Sequence, residues 1–370
     1  MKPRTLGIEE EFLLVDPATR QVSPRSQRVL QRTRAAGPGA DEDIDKELFR
    51  HQLETRTPAA VDLGELRSHL VRQRRAAAEA AERAGVVTIA SATSPVASGE
   101  PQITRDDRYL AMLARYGEIA RVSGICGMHV HVGIDSEEEG VGVIDSLARW
   151  LPVVLAISAN SPYVEGRDSG YHSWRSRLWA QWPSAGTAEP FGSLATYREV
   201  SRRLMAAGAA LDSGMLYFDA RLSEANPTVE VRTSDVCTDP DDAVLVAALV
   251  RGLVMRAVDR HSEGVSDPVW RSELLRAAHW RAARYGLSNQ LLDPSTAEPA
   301  AAREVLGQLY DTVRDQLEEC GDAELVEDGL ERVLAGGGAS RQHAAYERSG
   351  GDLAAVVDDL VVRTNACWRT

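Results

Sequence analysis

Gly7-Ile8-Glu9-Glu10-Glu11-Phe12-Leu13-Leu14-Val15-Asp16 is the stretch from which the fold can be read. A glycine opens it and Asp16-Pro17 closes it, and proline cannot continue a central strand, so the stretch is predicted as one β-strand. Side chains alternate faces along a strand, which puts Glu9 and Glu11 on one face and Ile8, Glu10 and Phe12 on the other. Two carboxylates side by side repel unless something positive lies between them. A solvated edge strand would tolerate this, but the apolar run from Phe12 to Val15 carries the strand into a core. A hard divalent cation, Mg²⁺ or Mn²⁺, is the simplest resolution, because it prefers oxygen ligands. Glu10 faces away from such a site, and the pattern assigns it no partner.

Three more stretches repeat this design. His51-Gln52-Leu53-Glu54-Thr55-Arg56-Thr57 ends at Pro58 and places Gln52, Glu54 and Arg56 on one face. Gly127-Met128-His129-Val130-His131-Val132-Gly133 sets two histidines against two valines. A lone strand histidine is usually structural, whereas a pair at i and i+2 backed by apolar residues points to metal or phosphate contact. Thr228-Val229-Glu230-Val231-Arg232-Thr233 does the same with Glu230 and Arg232, and the bland reading there is a cross-strand ion pair. Together Glu9, Glu11, Glu54, His129 and Glu230 are the candidate ligands of two or three divalent cations. Arg232, Arg221 and Arg56 would surround a transferring phosphoryl group, where catalysis is mostly positioning and charge neutralisation.

A parallel sheet covered on both sides reads apolar on both faces, and these strands do not. The expected class is therefore α+β, an antiparallel sheet with helices on one face and a polar cleft on the other. Helices are expected over residues 63–84, 106–122, 137–158 and 195–211, and through most of the chain from 267 onward. A further one starts at Asp239 with Pro240, Asp241 and Asp242 in its first turn. Residues 22–40 read as a helix or loop excursion, 86–94 as a buried strand, 217–222 and 228–234 as a hairpin, and 161–193 as an irregular segment of the kind that lines binding sites. No repeat or linker divides residues 1–370, so they are treated as one domain.

The net charge of −13 disfavours nucleic acid and anionic membranes as partners. Lys2 and Lys46 are the only lysines, so arginine is the group available to grip phosphate or carboxylate. Four scattered cysteines form no CxxC pair, and the apolar run from Ala243 to Val250 is too short to span a bilayer. With no apolar signal core near the start, a cytoplasmic location is expected. No Walker A loop or GxGxxG is present, so a nucleotide would have to be held by metals and arginines.

GIEEEFLLVD (7–16), LETRTP (53–58), CGMHVHVG (126–133), TVEVRTSDVCTD (228–239) and the tail GGGASRQHAAYERSGGDLAAVVDDL (336–360) resemble the carboxylate–amine ligases of the glutamate–cysteine ligase type 2 family, which shares the glutamine synthetase fold. The resemblance spans essentially the whole chain. It implies a curved antiparallel sheet forming a funnel, with ATP and Mg²⁺ or Mn²⁺ inside, and ATP-driven activation of a small carboxylate for attack by an amine. It implies Glu9, Glu11, Glu54, His129 and Glu230 as metal ligands, Arg232 and Arg221 as catalytic groups, and His131 with Arg232 near ATP. Arg175 and Arg177, within Tyr171-His172-Ser173-Trp174-Arg175-Ser176-Arg177, are candidates for the substrate carboxylates together with Arg56, because arginine binds carboxylate in bidentate fashion. Relatives also suggest a homo-oligomer. Many relatives carry a THP-like turn where this chain has Thr93-Ser94-Pro95, so a glutamate–cysteine pairing does not follow from the resemblance alone. A phosphotransferase on the same fold, a metal-dependent hydrolase built on the HxH pair, and a silent binding protein are the competing readings.

Overall fold

The computed structural model describes residues 3–34, 44–265 and 267–369. Its strands are β1 (Leu6–Val15), β2 (Ile44–Lys46), β3 (Gln52–Arg56), β4 (Val87–Ile89), β5 (Gly127–Gly133), the small pair β6 (Tyr163–Val164) and β7 (Arg167–Asp168), then β8 (Ala220–Leu222) and β9 (Thr228–Asp235), and a second small pair, β10 (Gln290–Leu292) and β11 (Pro299–Ala301). Among the described residues, seven of these form one sheet in the order β2-β3-β1-β5-β9-β8, with β4 pairing the far end of β1. Every pairing in it is antiparallel, as the alternating polar face requires. The expected hairpin closes as β8 against β9, which sets Arg221 opposite Glu230.

Helices cover the face opposite the polar one. In chain order they begin with α1 (Ser26–Arg34), α2 (Leu63–Arg83), α3 (Asp107–Tyr116), α4 (Glu118–Arg121), α5 (Glu137–Leu147) and α6 (Leu151–Ser158). There follow α7 (Trp174–Trp179), α8 (Leu194–Ala207), α9 (Pro240–Ser262) and α10 (Ser272–Tyr285), and then α11 (Ala302–Cys320), α12 (Ala323–Gly336), α13 (Gly338–Arg348) and α14 (Leu353–Ala366). α9 is the central one. Asp239 caps it by accepting from Asp241 N, and it is buried on nearly every side from Ala243 to Met255. It lies against the apolar side chains that β1 and β5 turn away from the cleft, with α5 and α6 packed on β9, so the core is a sheet–helix interface built on period-two and period-3.6 patterning.

Several boundaries differ from expectation. The helix expected over 137–158 is two, bent by 71° between Leu147 and Leu151, where Pro152 sits in the first turn of α6 and cannot donate into a continuing helix. The 106–122 helix breaks at Gly117, whose φ of +58° leaves the helical region. The strand expected over 86–94 keeps ladder pairing only over β4. Of the 22–40 excursion, 26–34 is helix and 35–40 lies outside the described residues. Among the described residues no single helix is long and apolar enough to cross a membrane.

Candidate active site

β1 is flanked by β3 and β5, so its cleft-facing glutamates meet side chains from both neighbours. The register aligns Glu9 with Arg56 on one side and His129 on the other, and Glu11 with Glu54. β5 in turn aligns His131 with Glu230. A register shift between Met128 and Val130 marks a bulge, where three residues of β9 span two of β5. Bulges re-aim side chains beside functional sites, and here Arg232 is brought alongside His129 with Nη1 to Nδ1 at 3.4 Å.

The result is a cavity of about 510 Å³ whose lining includes Glu9, Glu11, Glu54, Arg56, His129, His131, Arg221, Glu230 and Arg232. His129 Nδ1 is 3.0 Å from Glu9 Oε2 and 3.6 Å from Glu230 Oε1. Its Nε2 is buried without a hydrogen-bond partner, 3.9 Å from Glu11 Oε1. Glu11 also accepts from Gly127 N at 2.7 Å. Arg221 grips Glu230 through Nε at 2.7 Å and Nη2 at 3.2 Å, while Arg232 Nη1 donates to the same carboxylate. Arg56 bridges Glu9 and Glu54, each at 3.2 Å. The rings of Trp179 and Tyr217 lie 5.7 and 5.8 Å from the Arg232 guanidinium carbon.

Electrostatics divides these groups. Burial would push Glu230 up, but Arg232 and Arg221 hold it well below the usual carboxylate range. Burial acts on Glu9 in the same direction and is outweighed by its contacts with the imidazoles of His129, at 3.0 Å, and His131, at 3.6 Å, so it too stays ionised. His129 is lowered by burial and by the Arg232 charge, which keeps the imidazole neutral and its lone pair available. Glu54 is raised well above its ordinary value by burial and by the charges of Glu47 and Glu9.

Two ionised carboxylates, a neutral imidazole and a buried unpartnered ring nitrogen suit a hard divalent cation. Donor atoms of Glu9, His131 and Glu230 all lie within 4.8 Å of one another. His131, read from the sequence as a nucleotide contact, is therefore also a candidate metal ligand; its Nδ1 is held at 3.0 Å from Thr228 Oγ1 and its Nε2 has no hydrogen-bond partner.

Sequence reading missed Glu47. It lines the cleft just beyond β2, paired with Glu54, and burial followed by the charge of Glu11 pushes its carboxyl up to about 7. It sits in a turn, where no alternation singles it out. A carboxylate beside an expected acidic strand was the available signal.

Arg175 and Arg177 are not in the cleft. Arg175 is 2% exposed, and its guanidinium donates to Arg232 O at 3.2 Å and Thr233 O at 3.3 Å, satisfying the carbonyls that the bulge takes out of the ladder. This corrects its reading as a candidate for the substrate carboxylates. It also accounts for Gly127, where a Cβ would fall 2.3 Å from Arg175 Nη2. Arg177 lines a separate cavity on the far side of Trp179. Thr93-Ser94-Pro95 lines neither that cavity nor the cleft; Ser94 O and Pro95 O accept from Glu165 N and Gly166 N in the turn between β6 and β7.

Glu10 has a partner after all. It is 0% exposed and makes a bidentate pair with Arg74 of α2, Nε to Oε2 at 2.9 Å and Nη2 to Oε1 at 2.5 Å. Arg74 also donates to Cys237 O and Thr238 O, tying β1, α2 and the turn into α9 together.

Residues 5–359 match the model of glutamate–cysteine ligase family 2. A Nocardioides sp. protein named "Putative glutamate--cysteine ligase 2-1" is 51% identical over 99% of this chain and 97% of its own length. A Frankia alni protein named "Putative glutamate--cysteine ligase 2-2" is 45% identical over 97% of this chain and 95% of its own length. Among solved structures, a bifunctional glutathione synthetase from Pasteurella multocida superposes with a TM-score of 0.70 at 16% identity, over 98% of this chain and 52% of that one. A glutamate–cysteine ligase from Francisella tularensis in complex with AMP gives 0.64 at 12%, over 99% and 93%. These two distant likenesses show the fold alone, while the family model and the two close relatives establish the lineage. The chain belongs to glutamate–cysteine ligase family 2.

Proposed function

We propose that this ATP-dependent carbon–nitrogen ligase joins a small carboxylate, an amino acid, to an amine through an acyl phosphate. A carboxylate oxygen of the substrate attacks the γ-phosphorus of ATP and ADP leaves. The amine nitrogen then attacks the acyl carbon, the carbon–oxygen bond to phosphate breaks, and a proton is lost from nitrogen. The observation that carries this reading is the convergence of Arg221 and Arg232 on Glu230 beside His129, in a cleft where the carboxylates lie against fixed cations. Mg²⁺ or Mn²⁺, held by Glu9, Glu11, Glu54, Glu230 and His129, would supply charge neutralisation for the phosphates. Arg232, flanked by two aromatic rings in the same cleft, would neutralise charge that grows in transfer.

A second cavity of about 730 Å³ adjoins the first and shares Glu9, Arg56, His131 and Asn226 with it. Leu6, Ile8, Val61, Ile134 and Pro227 in its wall suit a nucleotide base, which supports a reading with ATP on this side and the carboxylate and amine on the other. Phosphoryl transfer then takes place at the shared wall, and His131 and Arg56 face both substrates. Residues 1–370 act as one catalytic domain in this reading. A hydrolase built on the HxH pair finds less support, since His129 and His131 are the only histidines lining the cleft among the described residues.

The test is Mg²⁺-dependent ADP formation against amino acids alone and paired with amines. ADP release that requires one carboxylate, with amide appearing only when amine is added, is the expected result. A stable phosphorylated compound as final product in the presence of amine would instead indicate a phosphotransferase.

A further inference from the structure

A cavity of about 260 Å³ lies behind the catalytic cleft, between α7, α10 and the loop at Gly186 and Thr187. Trp179 lines both spaces, with Arg175 5.6 Å from its ring and Arg232 5.7 Å. On β9 the neighbouring residues divide between them: Arg232 faces the cleft and Thr233 the cavity.

Its wall is cationic in a chain whose net charge is −13. Arg175, Arg177 and Arg276 all line it. Arg177 is half-buried and Arg276 is exposed at the cavity mouth, and neither forms a hydrogen bond or salt bridge among the described residues. Arg175 is 98% buried, being 2% exposed, and its Nε has no hydrogen-bond partner. Opposite this positive wall stands one carboxylate, Asp219. Its Oδ2 is buried and unsatisfied, 3.3 Å from His279 Nε2 but without hydrogen-bond geometry, and that nitrogen is unsatisfied too. Buried polar atoms are nearly always hydrogen-bonded, so the buried, unsatisfied Oδ2 of Asp219, on a cavity that also holds two arginines without partners, marks a place for a ligand that completes them.

We propose that this cavity is a second ligand site, separate from the catalytic cleft, that binds a free α-amino acid. Arg177 and Arg276 take its carboxylate, in the bidentate manner arginine favours, and Asp219 takes its ammonium group. The volume accommodates a molecule of that size and little more. The occupant would lean on Trp179 and on Asp219, whose carbonyl accepts from Arg232 N at 2.9 Å, so the site borders the residue on which turnover depends.

The proposal stands apart from the ligase reading and is tested by binding alone. The full chain, without ATP or Mg²⁺, is titrated calorimetrically with each of the protein amino acids in turn at up to millimolar concentration. At least one should bind, and Glu230→Gln should bind it unchanged. Arg177→Ala and Asp219→Asn should each weaken it about tenfold or more, the loss of one charge-assisted hydrogen bond. Arg177 is only half-buried, so its variant reports binding even if Asp219→Asn fails to fold. The methyl ester and the N-acetyl derivative of the binding amino acid should both bind weakly. Binding lost in Glu230→Gln and retained in Arg177→Ala would place the amino acid in the cleft and overturn the proposal. So would the absence of any binding, or an N-acetyl derivative that binds as well as the free amino acid.

Discussion

Glu9 and Glu10 are neighbours on β1, and the chain uses their identical carboxylates in opposite ways. Glu10 faces the helices, fully buried, with both oxygens taken by the fork of Arg74, which also donates to two backbone carbonyls. Both oxygens of this carboxylate are committed inside the protein. Glu9 faces the cleft, and its contacts are to Arg56, which is about half exposed, and to two imidazoles at 3.0 and 3.6 Å. Those partners are exchangeable. A saturated pair anchors architecture, because removing one member strands a buried charge. An unsaturated cluster of ionised groups is what binding and catalysis need.

The largest effect expected from breaking this contrast is on the cleft side. Arg232→Ala should lower turnover by about 10³-fold or more while the protein stays folded, since Arg221 still pairs with Glu230. Steady-state ADP release and a thermal melt measured together check this, and an unfolded variant would make Arg232 an anchor like Arg74. On the helix side, Glu10→Ala should cost about 3–5 kcal/mol of stability by leaving the Arg74 charge buried and unpaired. Denaturant titration reads that loss, and wild-type stability would show that the pair anchors nothing. The smallest effect sharpens the comparison. Mg²⁺ at about a hundred times its dissociation constant should stabilise the native protein by about 2.7 kcal/mol. That gain should vanish in Glu9→Gln and persist in Glu10→Gln; equal responses in the two variants would erase the distinction between the faces.

The same contrast explains what could be read from the sequence. Alternation at 9/11, 129/131 and 230/232 is local, so the polar face, the antiparallel class and most of the cleft residues follow from strand periodicity. Partners across long separations do not. Arg74 lies 64 residues from Glu10, and nothing in α2 marks it as more than one of several arginines in an exposed-looking run. Arg175 read as a candidate for substrate carboxylates because its acceptors are carbonyls of a bulge, and a bulge leaves no mark in the sequence. Glu47 stands in a turn, outside any repeating pattern. Pro152 was visible, but a proline in the first turn of a helix and one that splits a longer helix read alike until packing decides.

The ladder that builds the cleft also bears on how the chain folds. Glu9 and His129 are 120 residues apart, and His129 and Arg232 are 103 apart, so the cluster exists only after two long loops have closed. Closing such loops costs entropy before any contact between their ends offsets it, and sheets of this kind form slowly. Helices such as α2 and α9 are local in sequence and can form early. A nascent or refolding chain therefore acquires its helical content before its catalytic groups meet, and the cleft is among the last parts of the molecule to be completed.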